Sequence, residues 1–133
     1  MLQEVYERYR RPIFVAETGI EDETRPAWLR YMCKEVMTAM TAGVPVEGVC
    51  LYPIVNHPGW DDDRHCHNGM FDYADASGER PVFEPLAQEV SRQLANNAAL
   101  ASGVNGVSDL TEMDTSALDW AAHVMDERTE ASR

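Results

Sequence analysis

No apolar run in this sequence approaches the roughly 20 residues that cross a bilayer, and Met1 opens no positive-then-apolar leader. Cysteine is scarce. Cys33, Cys50 and Cys66 are widely spaced, include no CxxC pair, and cannot all pair within one chain. That excludes a disulfide framework and a thiolate zinc site, and it places the chain in a reducing cytoplasm. Basic residues are few: 11 Lys and Arg stand against 23 Asp and Glu, a formal net charge of −12 with a sequence pI near 4.6. Such an acidic surface excludes nucleic acid and anionic membrane as partners. Neither GxGxxG nor GxxxxGK occurs, so no phosphate-cradling loop is present and no cofactor is expected. Internal repeats are lacking too.

What is there is globular, with 44% hydrophobic and 26% charged residues in 133. The chain opens inside a helical pattern, Leu2 to Arg10, with no capping residue ahead of it, as though cut from a longer chain. After Arg11-Pro12, the short run Ile13-Phe14-Val15-Ala16 is apolar at every position, the pattern of a strand buried on both faces. The next helix is expected from about Arg25 to Ala42. Asp22 or Thr24 is its cap, Pro26 lies in its first turn, and Trp28, Leu29, Met32, Val36 and Met40 form its apolar stripe. Gly43 fits a left-handed C-terminal cap. A second strand, Val46 to Tyr52, precedes a long loop, Pro53 to Arg80, and a third helix from Pro81 to about Asn96 with Phe83, Leu86, Ala87, Val90 and Leu94 on one face. Helix, strand, helix, strand, helix is one parallel βαβ unit with a helix at either end. Two strands cannot close a core, and barrels and doubly wound sheets need several more. From Ala98 onward the sequence turns small and polar. Ser108 to Arg133 then holds seven acidic residues against Arg128 and Arg133, which reads as a linker and a mostly disordered tail with one weak helix.

Two places carry chemistry. Glu17 stands just past the C-terminal end of the first strand, on the face where parallel α/β folds build their sites, although a lone strand-end carboxylate equally serves as a loop cap or an arginine partner. The loop after the second strand lies on the same face. It mixes Tyr52, Asn56, His57, Trp60, Asp61, Arg64 and His65. Aromatic planes beside hydrogen-bonding groups suit a sugar, whose C–H faces are apolar and whose rim is hydroxylated. The plainer reading is a surface loop of turn residues, against which Trp60 counts. His57, Asp61, His65 and His67 are also potential metal ligands, but their spacing fits no standard zinc site and Arg64 sits among them. Cys50 and Cys33 read as packing residues.

The run Pro12-Ile-Phe-Val-Ala-Glu-Thr-Gly19 resembles the strand-seven motif of family 1 glycoside hydrolases, the β-glucosidase group, in which the glutamate of apolar-apolar-Thr-Glu-Asn-Gly is the nucleophile. Gly48 to Trp60 resembles that family's strand eight and the loop ending in a tryptophan. Arg64 to Met70 and Arg80 to Pro85 resemble its closing segments. The resemblance runs from about Leu2 to Leu94. It departs at Ala16 and Thr18, at Tyr52-Pro53 in place of Trp-Ser, and at Gly59 in place of a sugar-holding glutamate. It implies an α/β fold, the last two β/α units of a partial (β/α)₈ TIM barrel over residues 1–97, with 98–133 as the acidic tail. It also implies a retaining β-glycosidase whose nucleophile is Glu17, with Trp60 as sugar platform and Tyr52 facing the sugar; Asn56, His57 and Arg64 complete the expected carbohydrate site. That family's acid/base lies in an Asn-Glu motif, and no Asn-Glu occurs in this chain. The chain alone is therefore expected to be inactive and to need a missing N-terminal barrel portion. The alternatives are a non-catalytic sugar-binding or interaction module, and a metal-dependent hydrolase on the His/Asp loop.

Overall fold

The computed structural model of the protein describes residues 1–101; residues 98–101, expected to begin the linker, continue a helix, and the rest of the expected acidic tail lies outside the described residues. Met1–Gln93 forms one compact unit. Helix α1, Leu2–Tyr9, ends where Arg10 turns left-handed at φ 51° and donates its N–H to the Tyr6 carbonyl. Strand β1 is Ile13–Thr18, two residues longer than the apolar run, so Glu17 belongs to the strand rather than to the loop beyond it. A single 3₁₀ turn, Asp22–Thr24, leads into α2, Arg25–Thr41. Pro26 fits that first turn because its missing N–H would have no partner there, and Thr24 is the N-cap residue but makes no side-chain cap bond. Beyond α2, Gly43 takes φ 86°, the left-handed conformation expected of it. Strand β2, Val46–Leu51, then pairs parallel with β1.

The core sits between one face of this two-stranded sheet and the helices. Val36 and Ala39 of α2 pack with Val44 and Val46, and Leu2, Tyr6, Ile13, Val15 and Val49 close around them. Alternation decides which strand residues take part, since successive side chains point to opposite faces. Ile13 and Val15 meet α2, whereas Phe14 is 56% exposed. The run that reads as buried on both faces is covered on one only, and Cys50, expected to be buried, is exposed. Along α2 the buried positions are Arg25, Leu29, Val36 and Ala39, and Met40 falls outside the stripe as an exposed side chain.

The segment from Pro53 to Phe83 is not a featureless loop. Three short extended pieces run side by side: Val55 bridges Phe71 in parallel and Phe71 bridges Val82 antiparallel. The main-chain bonds Met70 N–H to Ile54 O and Phe83 N–H to Met70 O, both 2.8 Å, continue this ladder. Helix α3, Glu84–Ala101, starts three residues later than the sequence suggests and runs on to Ala101. Leu86 on it is 1% exposed, while Leu94 is exposed. No described helix is long and apolar enough to cross a membrane.

Helix α3 is tied to α2 through a buried carboxylate. Glu89 accepts from Arg30 Nη2 at 3.0 Å, from Gln93 Nε2 at 2.7 Å and from the Arg92 guanidinium. Burial opposes its ionisation, but the hydrogen bonds from Gln93, Arg30 and Arg92 outweigh that and hold the carboxyl below its ordinary value of 4.5. A carboxyl depressed in the folded state stabilises the fold above its unfolded value. That contribution is lost as pH falls below 4.5 through the folded value. Glu89→Gln is therefore expected to lower stability at neutral pH and to flatten the loss of stability as pH falls below 4.5. Urea denaturation at a series of pH values measures both; a parallel acid profile in wild type and variant would contradict it.

Candidate functional site

The register of the two strands explains how Glu17 reaches solvent. Val15 pairs with Val49 and Thr18 with Leu51, so β1 spends three residues where β2 spends two. One extra residue in a strand is a bulge, which locally reverses the alternation and re-aims a side chain. Without it Glu17 would share the covered face of Ile13 and Val15. With it Thr18 takes that face. The Thr18 hydroxyl accepts from the Trp28 indole Nε1–H of α2 at 2.8 Å, its carbonyl accepts from Tyr52 N–H at 2.9 Å, and Glu17 is exposed.

Tyr52 follows β2, after which the chain passes through a cis peptide to Pro53. Gly19 makes the approach of the two strand ends possible: a Cβ there would stand 1.9 Å from the Tyr52 carbonyl oxygen. The turn that follows Glu17 and the start of the loop after β2 are thus in direct main-chain contact. The sequence expectation that they share one face holds.

The loop's other polar residues serve different ends. Asn56 is 4% exposed and wholly engaged. Its Oδ1 accepts from Gly69 N–H at 2.6 Å, and its Nδ2 donates to Asp72 at 2.8 Å and reaches His67 Nδ1 at 3.3 Å. The N–H of Tyr73 and this Asn56 amide keep the Asp72 carboxyl below its usual range, although burial acts against them. His57 tilts against the Tyr52 ring with centroids 6.0 Å apart. Its Nδ1 lies 2.7 Å from the Pro58 carbonyl and its Nε2 lies 3.3 Å from Asn68 Nδ2, partners that assign a proton to Nδ1. Trp60 is 85% exposed, an open aromatic plane at a loop tip. Arg64 turns instead to Glu21, with Nη1 and Nη2 at 2.5 and 3.1 Å from the two carboxylate oxygens. That hydrogen bond with Glu21 raises the arginine further above its already high value.

Arg25 is a buried residue of this region that sequence reasoning passed over. It is 6% exposed, its Nε donates to the Asp22 carbonyl at 2.6 Å and its Nη1 to the Gly69 carbonyl, and its guanidinium lies 3.8 Å over the Phe83 ring. Burial lowers its hold on its proton, against the opposing pull of Glu23, Asp22 and Asp72. A signal existed, because a cation at a helix N-terminus opposes the helix dipole and needs another reason to be there. Gly69 was passed over as well: an added Cβ would meet Val55 and Asn56 main-chain atoms at 2.5 and 2.6 Å.

The histidines of the loop each face different partners. His57 is turned to Asn68, His65 packs edge-on to Tyr73 with centroids 4.8 Å apart, and His67 faces Asn56 and Asp72. Among the described residues no group of three or more His, Cys, Asp or Glu side chains is placed to hold an ion.

No protein-family model matches the sequence, and no curated protein does. Solved structures do. The chain is similar to the β-glycosidase of the hyperthermophile Thermosphaera aggregans, with a TM-score of 0.62 and 23% identity over 71% of this chain and 20% of that one. It is similar to the family 1 β-glucosidase of Thermotoga maritima, with a TM-score of 0.61 and 18% identity over 71% of this chain and 24% of that one. A structure of β-glucosidase 1317 gives a TM-score of 0.62 and 21% identity over 71% and 24%. The likeness is one of fold: this chain has the α/β fold of part of a β-glucosidase barrel and spans about a fifth to a quarter of the length of these proteins.

Thr18→Val keeps the shape of the side chain but leaves the Trp28 N–H without its acceptor. The expected cost is about 1–3 kcal/mol in denaturant unfolding, with a change in Trp28 indole hydrogen exchange. Gly19→Ala is expected to cost about 1–3 kcal/mol as well, by forcing the Tyr52 carbonyl away from the turn. A wild-type unfolding midpoint for either variant would contradict the arrangement described above.

Proposed function

We propose that this chain carries the nucleophile side of a retaining β-glycosidase site, with Glu17 as nucleophile and Tyr52, His57 and Trp60 receiving the sugar. Asn56 and Arg64 belong to the same site and shape the loop that presents it. The observation that carries the reading is the bulge that delivers an exposed carboxylate to the end of a parallel strand, in main-chain contact with a loop bearing an open tryptophan plane. The likeness of fold to β-glucosidases supports it.

In this reading a Glu17 carboxylate oxygen attacks the anomeric carbon of a β-glycoside as the bond to the leaving oxygen breaks. A second carboxylic acid protonates that oxygen. Water, deprotonated by the same group, then attacks the anomeric carbon and frees Glu17. The two carboxyl groups of such a pair stand about 5–5.5 Å apart. The sequence holds no Asn-Glu for the second role. We assign it to a polypeptide that supplies the remaining barrel strands, and such strands would also cover the open face on which Phe14 and Cys50 lie.

A second reading is favoured by Trp60 alone. A tryptophan 85% exposed is suited to stacking on a sugar without any chemistry, so a carbohydrate-binding module remains the alternative. The purified chain is expected to give no turnover of an aryl β-glucoside. Co-expression with the first six β/α units of a matched β-glycosidase is expected to restore it, and Glu17→Gln to lower the restored rate by at least about a thousandfold. Turnover by the chain alone, or a restored rate indifferent to Glu17→Gln, would sink the catalytic reading. Saccharide binding weakened by Trp60→Ala without any restored turnover would favour the module.

A further inference from the structure

Trp60 and Glu17 lie on different loops, yet a sugar held by one and attacked by the other needs them in fixed relation. The chain around Trp60 is a small hairpin: Pro58 bridges His65 antiparallel, Gly59 N–H donates to the Arg64 carbonyl at 2.8 Å, and Arg64 stands at its base. Asp62 closes the tip by accepting from Arg64 N–H at 3.1 Å. From that base the Arg64 side chain reaches Glu21, 43 residues away, as a two-pronged fork at 2.5 and 3.1 Å. Glu21 stands four residues after Glu17, and Arg64 four residues after Trp60. Beside the fork, Asp22 N–H donates to the His67 carbonyl at 2.8 Å.

We infer that the Glu21–Arg64 pair is a positioning clasp that holds the Trp60 hairpin against the turn that follows Glu17. The inference rests on the sugar-site reading for its purpose, but not for its geometry. An ion pair this exposed adds little to global stability. Its planar two-point contact does fix direction, which a lysine cannot reproduce. The clasp therefore governs where the tryptophan plane stands more than whether the chain folds. Both residues act through Trp60 and touch no reacting atom.

The test is amide hydrogen exchange of residues 58–65 in the full chain, with Gly59 N–H as the reporter and the urea midpoint as control. Arg64→Gln and Glu21→Gln are each expected to raise Gly59 exchange about tenfold with the urea midpoint unchanged. Arg64→Lys is expected to fall between these variants and wild type. The reversed pair, Glu21→Arg with Arg64→Glu, is expected to restore protection. Unchanged exchange in the single variants overturns the clasp, and so does a reversed pair that fails to restore it. A parallel titration with an aryl β-glucoside, followed by tryptophan fluorescence, separates the two ideas. If exchange follows the expected pattern while neither wild type nor its co-expressed assembly binds or turns over the glycoside, the clasp stands and the sugar reading falls.

Discussion

Thr18 is the residue on which the geometry around Glu17 depends. It is buried at the end of a strand, a position where a hydroxyl without a partner would be costly. The Trp28 indole supplies the donor from α2, and the Thr18 carbonyl accepts from Tyr52 at the end of the neighbouring strand. These two bonds fix Thr18 on the covered face, and the bulge follows because β1 must spend an additional residue to bring it there. Glu17 is exposed as a consequence. A carboxylate at the same place in an unbroken strand would point at α2, where burial would favour its neutral form. The hydrogen bond that satisfies a buried hydroxyl is thus also what leaves the neighbouring carboxylate open to solvent.

A second constraint organises the loop side. An arginine does not shed its charge on burial, so Arg25 must be surrounded by acceptors. It finds the carbonyls of Asp22 and Gly69 and the face of Phe83, which come from the helix start, the far limb of the long segment and the approach to α3. Meeting one guanidinium brings three distant pieces of chain together. Gly69 can serve because no Cβ stands between its main chain and that of Val55 and Asn56, and Asn56 then fills its own amide by bonding to Gly69, Asp72 and His67. The segment from Pro53 to Phe83 holds its shape through buried polar bonds more than through apolar packing, and such networks are costly to disturb because each lost partner leaves another group unpaired.

Much of this was legible in the sequence, and the exceptions share a cause. The order of elements, the cap at Gly43 and the pairing of Glu17 with the loop after the second strand follow from periodicity and from the parallel βαβ rule. The bulge did not show, because Val15-Ala16-Glu17-Thr18 carries no glycine or proline to mark a break in alternation. Arg25 did not show because its partners are main-chain carbonyls, which every sequence contains. The hydrogen bonds of Asn56 did not show because one of them reaches Gly69, thirteen positions away. Cys50 read as buried because an apolar run does not reveal which of its faces a neighbour will cover. Local pattern reports local structure well. It does not report contacts across tens of residues, such as Arg64 with Glu21 or Arg25 with Gly69.

The uncovered face of the sheet bears on the chemistry as well as on the fold. A retaining glycosidase needs its nucleophile in a dry, shaped cavity, since water competes for the glycosyl intermediate and weakens every electrostatic contact. Here the strand face opposite α2 presents Phe14 and Cys50 to solvent, and Glu17 stands at the end of that face. The apolar residues on it lack cover, and on the proposed reading Glu17 also lacks a second carboxylic acid. Strands laid along β1 and β2 would answer both needs together, because in a closed barrel the strands that complete the packed interior also carry catalytic groups at their C-terminal ends. On the proposed reading the two deficits have one remedy, because a partner that covered the face without bringing a carboxylic acid to its rim would leave Glu17 with neither a proton donor for the leaving oxygen nor a base for the water that releases the sugar.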